Sequence, residues 1–351
     1  LMTTKQTICV LFGGNSSEHE VSCVSAGNVI SNLDRERFHV ITVGIEKNGG
    51  WFLTTATPEE IQSGAWKECH NKACVLSPDR KHHGLLVFNK NGDVSVTHVD
   101  VIFPVLHGKN GEDGTMQGLL ELAGIPYVGP GVLASSLCMD KVLAKEMLAY
   151  HNIAVTEGFF VRRDYDAKAV HTQITESFGY PVVVKPSRAG SSVGVVLADT
   201  EDALAKALTI AAAEDDKILI ERAVDAREVE CAVLGTTAAP QASCPGEIVK
   251  EGVYDYATKY QTNTARLEIP AHLTQEQTET IRSLACRAFT VTDCKGLARV
   301  DFFIDRKSGE VLLNEINTLP GFTNISMYPM LWQESGLSYT ELLTRLVELA
   351  Q

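Results

Sequence analysis

In the first third of the chain, short runs of consecutive apolar residues alternate with stretches where apolar residues recur every three or four positions. The runs at 7–12, 39–45 and 99–106 read as buried strands, and the periodic stretches at 18–33 and 115–123 read as helices. That alternation predicts a parallel sheet with helical crossovers. Residues 49–98 interrupt it with Gly, Pro, Asn and short β-type runs, which predicts loops or hairpins. A helix at 141–151, with Met139, Leu143, Met147 and Leu148 along it, opens a second unit. From Tyr180 onward the pattern turns to strand pairs, at 182–185, 193–197, 217–220, 228–234, 298–304 and 311–316. No internal repeat, low-complexity run or long linker separates these units, so the domains are expected to pack closely.

The 351 residues exceed one average domain and set an expectation of two or three. With 44% hydrophobic and 21% charged residues the composition is that of a folded soluble protein. No stretch approaches the roughly 18 apolar residues of a membrane span. Residues 1–5 and the apolar run that follows lack a signal peptide's small-residue cleavage site and turn straight into glycines, so this region is expected to be the first strand of a cytoplasmic protein. A net charge of −13 argues against nucleic acid or an acidic membrane as partner, because such binding needs clustered Lys and Arg. The nine cysteines are scattered without a C-x-x-C pair, which indicates neither a disulfide framework nor a zinc site.

Three motifs carry chemistry. Gly13-Gly14-Asn15-Ser16-Ser17-Glu18 lies between a strand and a helix, and Ser17 with Glu20 has the spacing of a capping box. A structural cap accounts for it. The functional alternative sets Glu18 at the sheet's carboxyl edge, where it would meet a cationic ligand group. A complete G-x-G-x-x-G is absent, which weakens a nicotinamide cofactor. The second motif runs from Lys185 to Gly194 between two apolar runs; its Gly190, Ser191, Ser192 and Gly194 let backbone N–H groups converge on an anion, and Lys185 adds a charge. A strand rather than a helix follows, so the motif resembles a hairpin lid over phosphates and not a P-loop.

The third motif pairs Arg299-Val300-Asp301 with Asn314-Glu315-Ile316-Asn317 on the next strand. Arg299 and Asp301 share one strand face, as do Glu315 and Asn317. If the register sets Asp301 opposite or diagonal to Glu315, two carboxylates and an amide converge; a shift by one sends them to opposite faces. Oxygen ligands without His or Cys favour magnesium over zinc or copper. A phosphate-covering hairpin together with a magnesium pair points to nucleotide-dependent phosphoryl transfer.

At this point the chain resembles the D-alanine:D-alanine ligases of the ATP-grasp superfamily, almost end to end. Seven ordered blocks carry the resemblance: GGNSSEHEVS (13–22), VLHGKNGEDGTMQGLLELAGIPYVG (105–129), CMDK (138–141), KPSRAGSSVG (185–194), YDYATKY (254–260), GLARVDFF (296–303) and NEINTLPGFTNISMYP (314–329). It implies an α/β protein with an ATP-grasp fold and an N-terminal Rossmann-like domain. The expected domains are 1–137, then a central ATP-grasp subdomain at 138–221, then a C-terminal one at 222–351. ATP would lie between two antiparallel sheets. Lys141, Lys185 and Ser192 would contact its phosphates, Glu221 with the backbone of Arg222 and Val224 its adenine, and Glu228 its ribose, with Asn314 beside them. Asp301, Glu315 and Asn317 would bind magnesium, or manganese, with two divalent ions per site.

The family's reaction makes a D-alanyl phosphate and ADP from the first D-alanine, and the second D-alanine then displaces phosphate to give the dipeptide used for peptidoglycan. By resemblance, Glu18 would hold the first D-alanine's ammonium, and Arg299 with the Gly321 N–H would steady the charge on the tetrahedral intermediate. Lys259 and Tyr260 would belong to a closing lid, with Tyr260 joining Glu18 and Ser191 to shut out water. Ser326 and Met327 would hold the second D-alanine, and His107, in the matching Leu-His-Gly turn, would be either a substrate contact or a satisfied structural histidine. A cytoplasmic homodimer acting on D-alanine and ATP, without nucleic acid or membrane, is implied as well.

D-lactate-using relatives lack the Lys-Tyr pair that Lys259 and Tyr260 supply, and D-serine-using relatives tend to carry Arg in place of Met327; both comparisons favour D-alanine. The lid approach at 248–253 is more charged than the family's usual run. A non-catalytic nucleotide-binding regulator would be expected to have lost Arg299, Asp301, Glu315 or Asn317, and all four are present. A nicotinamide-linked oxidoreductase explains nothing after residue 180, which leaves another carboxylate-amine ligase of the superfamily as the serious competitor.

Overall fold

The structure, a computed structural model, describes residues 5–250 and 265–351. Three sheets follow one another along the chain. The first holds β1 (Gln6–Gly13), β2 (Phe38–Ile45), β3 (Trp51–Thr54), β4 (Asn71–Leu76), β5 (Gly84–Phe88), β6 (Val94–His98) and β7 (Val101–Val105), in the order β6-β5-β4-β3-β2-β1-β7. β1 pairs in parallel with β2 and β7, as the alternation of runs and periodic stretches predicts. The segment expected as loops or hairpins adds four antiparallel strands to that sheet and the short helix α2 (Pro58–Gln62). Helix α1 (His19–Asn32) packs on one face, where Cys23, Ala26, Val29 and Ile30 meet Ile8, Val10 and Phe12. Helix α3 (Thr115–Ala123) covers the other with Met116 and Leu120.

The capping box expected at Ser17 and Glu20 does not form. Glu18 occupies the N-cap of α1 without a side-chain cap bond, and Glu20 turns outward to Lys47 at 2.6 Å. Ser16, one residue earlier, receives the Glu18 N–H at 3.2 Å and donates to the His107 carbonyl at 2.9 Å. The turn itself depends on Gly13, which has φ +87° and would place a Cβ 2.3 Å from the Ile45 carbonyl oxygen. Both the conformation and the fixed backbone neighbour oppose a side chain, so Gly13→Ala is expected to destabilise by about 3 kcal/mol. Thermal or urea unfolding measures this; an unchanged midpoint would mean the turn relaxes freely.

Helices α4 (Val132–Met139) and α5 (Lys141–Tyr150) lead into the second sheet. Apolar spacing alone predicts a helix that takes in both Met139 and Leu143. Instead Asp140 breaks the helix, accepts the Leu143 N–H at 3.2 Å as the cap of α5, and takes Lys217 and Ser187 at 2.5 and 2.7 Å. The second sheet has β8 (Gly158–Arg162), β9 (Val182–Pro186), β10 (Val196–Ala198) and β11 (Lys217–Arg222), ordered β10-β9-β11-β8 and backed by α6 (Ala167–Ser177) and α7 (Glu201–Glu214). The third has β12 (Ala226–Thr236), β13 (Ala239–Lys250), β14 (Ala265–Glu268), β15 (Gly296–Asp305) and β16 (Val311–Asn317), ordered β14-β13-β12-β15-β16. Helix α8 (Gln275–Val291) buries Ile281, Ala285 and Phe289 on it. Helices α9 (Met327–Glu334) and α10 (Tyr339–Leu349) return to the first sheet, so its core and the third sheet's inner residues Ala232 and Leu234 are continuous.

Candidate active site

A cavity of about 300 Å³ lies between the second and third sheets and is lined from β9, β11, β12, β15, β16 and the loop between β9 and β10. Its floor is set by register. β15 and β16 pair antiparallel with Arg299 opposite Asn317 and Asp301 opposite Glu315. Beyond that pair the ladder slips, with Phe302 opposite Leu313, so Asn314 is the extra residue of a bulge. The condition posed by the sequence is therefore met, and Asp301, Glu315, Asn317 and Asn314 all line the cavity. Asn317 donates its amide to Asp301 at 2.9 Å, and the Arg299 fork grips both Asp301 oxygens at 2.7 and 2.8 Å.

Burial raises the Asp301 carboxyl, whereas at Glu315 burial is outweighed by Lys141, Lys185 and Arg299, which hold it below its usual range. Two carboxylates and an amide are hard oxygen donors, and a divalent cation between them would cancel their repulsion. Among the described residues no group of three or more His, Cys, Asp or Glu is placed to hold a metal. So sparse a donor set fits a cation that completes its coordination with substrate phosphates and water, as magnesium does.

The roof is the loop at 187–195. Ser191 and Ser192 have φ +48° and +57°, and such backbone in non-glycine residues clusters at ligand sites. Lys141 holds the loop by donating to the Ala189 carbonyl at 2.8 Å, while standing 3.7 Å from Glu315. Ser191 donates to Glu18 at 2.5 Å, which joins the α1 turn to the roof. At one end Glu221 is buried and ion-paired with both Lys185 and Lys145. Burial would raise the Glu221 carboxyl, but the two ammonium groups override it and hold it low. Arg222, Val224 and Glu228 also line the cavity.

Other expected residues stand elsewhere. His107 is buried, with one ring nitrogen 3.0 Å from the Leu319 carbonyl and the other 3.1 Å from the Ser25 hydroxyl, so both are engaged within the protein. Burial lowers its pKa. It ties down the loop that carries Gly321 and is not among the cavity's walls. Met327 is 4% exposed and packs in the core beside Gly246 and Leu331, so its side chain is not at the cavity either. Ser326 bonds Thr323, and a Cβ on Gly321 would meet its hydroxyl at 2.7 Å. Lys259 and Tyr260 lie outside the described residues.

Three charged residues escaped the sequence reading. Glu230 sits opposite Asp301 on β12, and Arg299 Nε is 2.9 Å from it; burial pushes its carboxyl up to about 8. Glu112 accepts the Gly108 and Leu319 N–H groups, and burial pushes it up to about 7. Lys145 is pushed down to about 8 by burial. Two of the three were signalled by spacing: Glu230 is two residues from Glu228 on a strand, and Lys145 four from Lys141 on a helix.

Two antiparallel sheets closing on a polar cavity, behind a Rossmann-like first sheet, define an ATP-grasp protein. Family models for the D-ala D-ala ligase N-terminus and C-terminus match residues 7–130 and 127–348. A D-alanine–D-alanine ligase of Acetivibrio thermocellus is 46% identical over 375 residues, covering 99% of this chain and 96% of the relative. One from Mycobacterium tuberculosis is 46% identical over 365 residues, with 98% and 95% covered. The solved VanG D-Ala:D-Ser ligase of Enterococcus faecalis superposes with a TM-score of 0.91 at 36% identity, covering 99% and 100% of the two chains. The D-alanine-D-alanine ligase of Coxiella burnetii does so at 0.86 and 35%, covering 99% of this chain and 95% of that one. The chain belongs to the D-alanine–D-alanine ligase family.

Proposed function

We propose that this cleft performs the family's reaction, the ATP-dependent joining of two D-alanines to D-alanyl-D-alanine for peptidoglycan synthesis, with the residues above in the following roles. The observation that carries the assignment is the facing of Asp301 and Glu315 across β15 and β16 under a serine- and glycine-rich loop. Lys141, Lys185 and the N–H groups around Ser192 hold the nucleotide's phosphates, and Glu221, Arg222, Val224 and Glu228 its adenine and ribose, with Asn314 beside them. Glu18, steadied by Ser191, orients the first D-alanine by its ammonium. Its carboxylate then attacks the γ-phosphate to give D-alanyl phosphate and ADP, and the second amine displaces phosphate.

Arg299 and the Gly321 N–H stabilise the oxyanion formed in that displacement. Asp301, Glu315 and Asn317 would hold magnesium or manganese, with two ions per site, and the charge so supplied would neutralise the phosphates. Lys259 and Tyr260 close the site against water. Ser326, Met327 and His107 shape the second subsite through the loop they anchor. We place domain breaks near 137, in α4 between the first and second sheets, and near 221, at the end of β11, and read the protein as a cytoplasmic homodimer. Among the described residues no helix is long and apolar enough to cross a membrane.

Purified protein with ATP, magnesium and D-alanine is expected to release phosphate and form the dipeptide in equal amounts. D-serine, D-lactate and L-amino acids, offered in parallel, are expected to be used less. A site that offers no bond to an added hydroxyl rejects it by only about a hundredfold, so D-serine is the expected runner-up. No dipeptide from D-alanine, with another substrate active, would move the assignment to a different ligase.

A further inference from the structure

Lys145 and Lys185 reach one buried carboxylate from different elements. Lys185, on β9, borders the cavity; Lys145, on α5 one turn beyond Lys141, stands behind Glu221 and is not part of the cavity wall. Each ammonium is paired with a different Glu221 oxygen, and all three side chains are less than 11% exposed. Further charges facing Lys145 are Glu315 from β16 and the like charge of Lys185 itself. Glu221 therefore keeps an ammonium that is not part of the cavity wall when Lys185, which borders the cavity, is drawn toward a ligand.

We propose that Lys145 is a positioning residue for nucleotide binding: it is the standing counter-ion of Glu221, and so allows Lys185 to turn to a phosphate without stranding a buried negative charge. This rests on the nucleotide-binding role of Lys185 and Glu221 given above. Without Lys145, Lys185 would be the remaining ammonium paired with Glu221. Drawing it toward a phosphate would then break a buried pair from one side, the arrangement that costs most. Lys145 would thus set nucleotide affinity from a position that never touches the nucleotide. The charge of Lys145 matters in this role, and its stem packing does not.

The test is calorimetric binding of a non-hydrolysable ATP analogue with magnesium to the full chain and five variants. Lys145→Met is expected to weaken binding roughly tenfold to a hundredfold, and Lys145→Arg to restore it to within about threefold. Glu221→Gln removes the charge that Lys145 balances. On that background Lys145→Met is expected to cause no further loss, a coupling that packing alone would not produce. Lys185→Met separates the two levels of the argument. If it binds like the unaltered chain, the nucleotide role of Lys185 fails. If it is weakened while Lys145→Met is not, or if Lys145→Met costs as much beside Glu221→Gln as alone, the role of Lys145 is overturned. Melting curves check folding. Should Lys145→Met alone not fold, the double variant is compared with Glu221→Gln, where equal affinity is expected and further loss refutes the proposal.

Discussion

Replacing Glu315 with Gln is expected to cut dipeptide formation by about a hundredfold or more while the melting temperature hardly moves. The two halves of that result have separate causes. Glu315 faces Asp301 directly across the β15–β16 ladder, so two negative groups share one small volume. Burial works against the charge of Glu315, yet Lys141, Lys185 and Arg299 keep the carboxyl low, and it is therefore ionised at neutral pH. Glutamine keeps the shape and removes the charge that a divalent ion needs. Stability changes little because the pair with Lys141 is loose, at 3.7 Å, and because the repulsion with Asp301 that disappears offsets the attraction to the cations that is lost. Turnover against magnesium concentration, with manganese binding followed by electron paramagnetic resonance, measures both. Normal turnover at limiting magnesium would remove Glu315 from the metal site.

The Asp301–Glu315 pair was legible because a strand has a period of two and its turn leaves few registers. Asp301 and Arg299 alternate with Val300, and the chemistry of an acid, a base and an amide on facing strands stands out against apolar neighbours. Residues 49–98 were less legible. Their strands are short, from four to six residues, and the outer face of β5 and β6 exposes Phe88, Val94 and Val96, so no clean alternation of apolar and polar positions marks them. The helix break at Asp140 was hidden because apolar spacing continues across it; only the side chain's bonds to Leu143, Ser187 and Lys217 explain the stop. His107 shows a third limit. Its residue type permits a ligand contact, and only the positions of Ser25 and Leu319, 82 and 212 residues away, reveal that both ring nitrogens are used. Lys145 and Glu230 fall between these cases: their spacing was visible, but the partner that gives each a role lies on another sheet or strand.

Arg299 is expected to tolerate neither loss of its charge nor loss of its shape, and the two losses should be separable. Its guanidinium fork takes both oxygens of Asp301, and its Nε also stands 2.9 Å from Glu230. Burial disfavours a charge there, but Asp301 and Glu230 raise its proton affinity well above the ordinary arginine range. Lysine in its place would keep one positive charge among the carboxyl groups of Asp301, Glu230 and Glu315 but could not span Asp301 and an oxyanion together. Arg299→Lys is therefore expected to lower kcat on the order of 10²–10³-fold with a small change in melting temperature. Arg299→Ala should lose at least as much activity and also about 3–5 kcal/mol of stability, because Asp301 and Glu230 would be left buried without their shared cation. The second variant carries its own control: adding Glu230→Gln replaces a buried carboxyl that has lost its partner and is expected to recover part of the melting temperature but none of the activity. Denaturant unfolding and single-turnover dipeptide formation on the same preparations decide the matter. If Arg299→Lys ligates at the unaltered rate, oxyanion stabilisation does not depend on the fork; if Glu230→Gln recovers no stability, Glu230 is not held by Arg299.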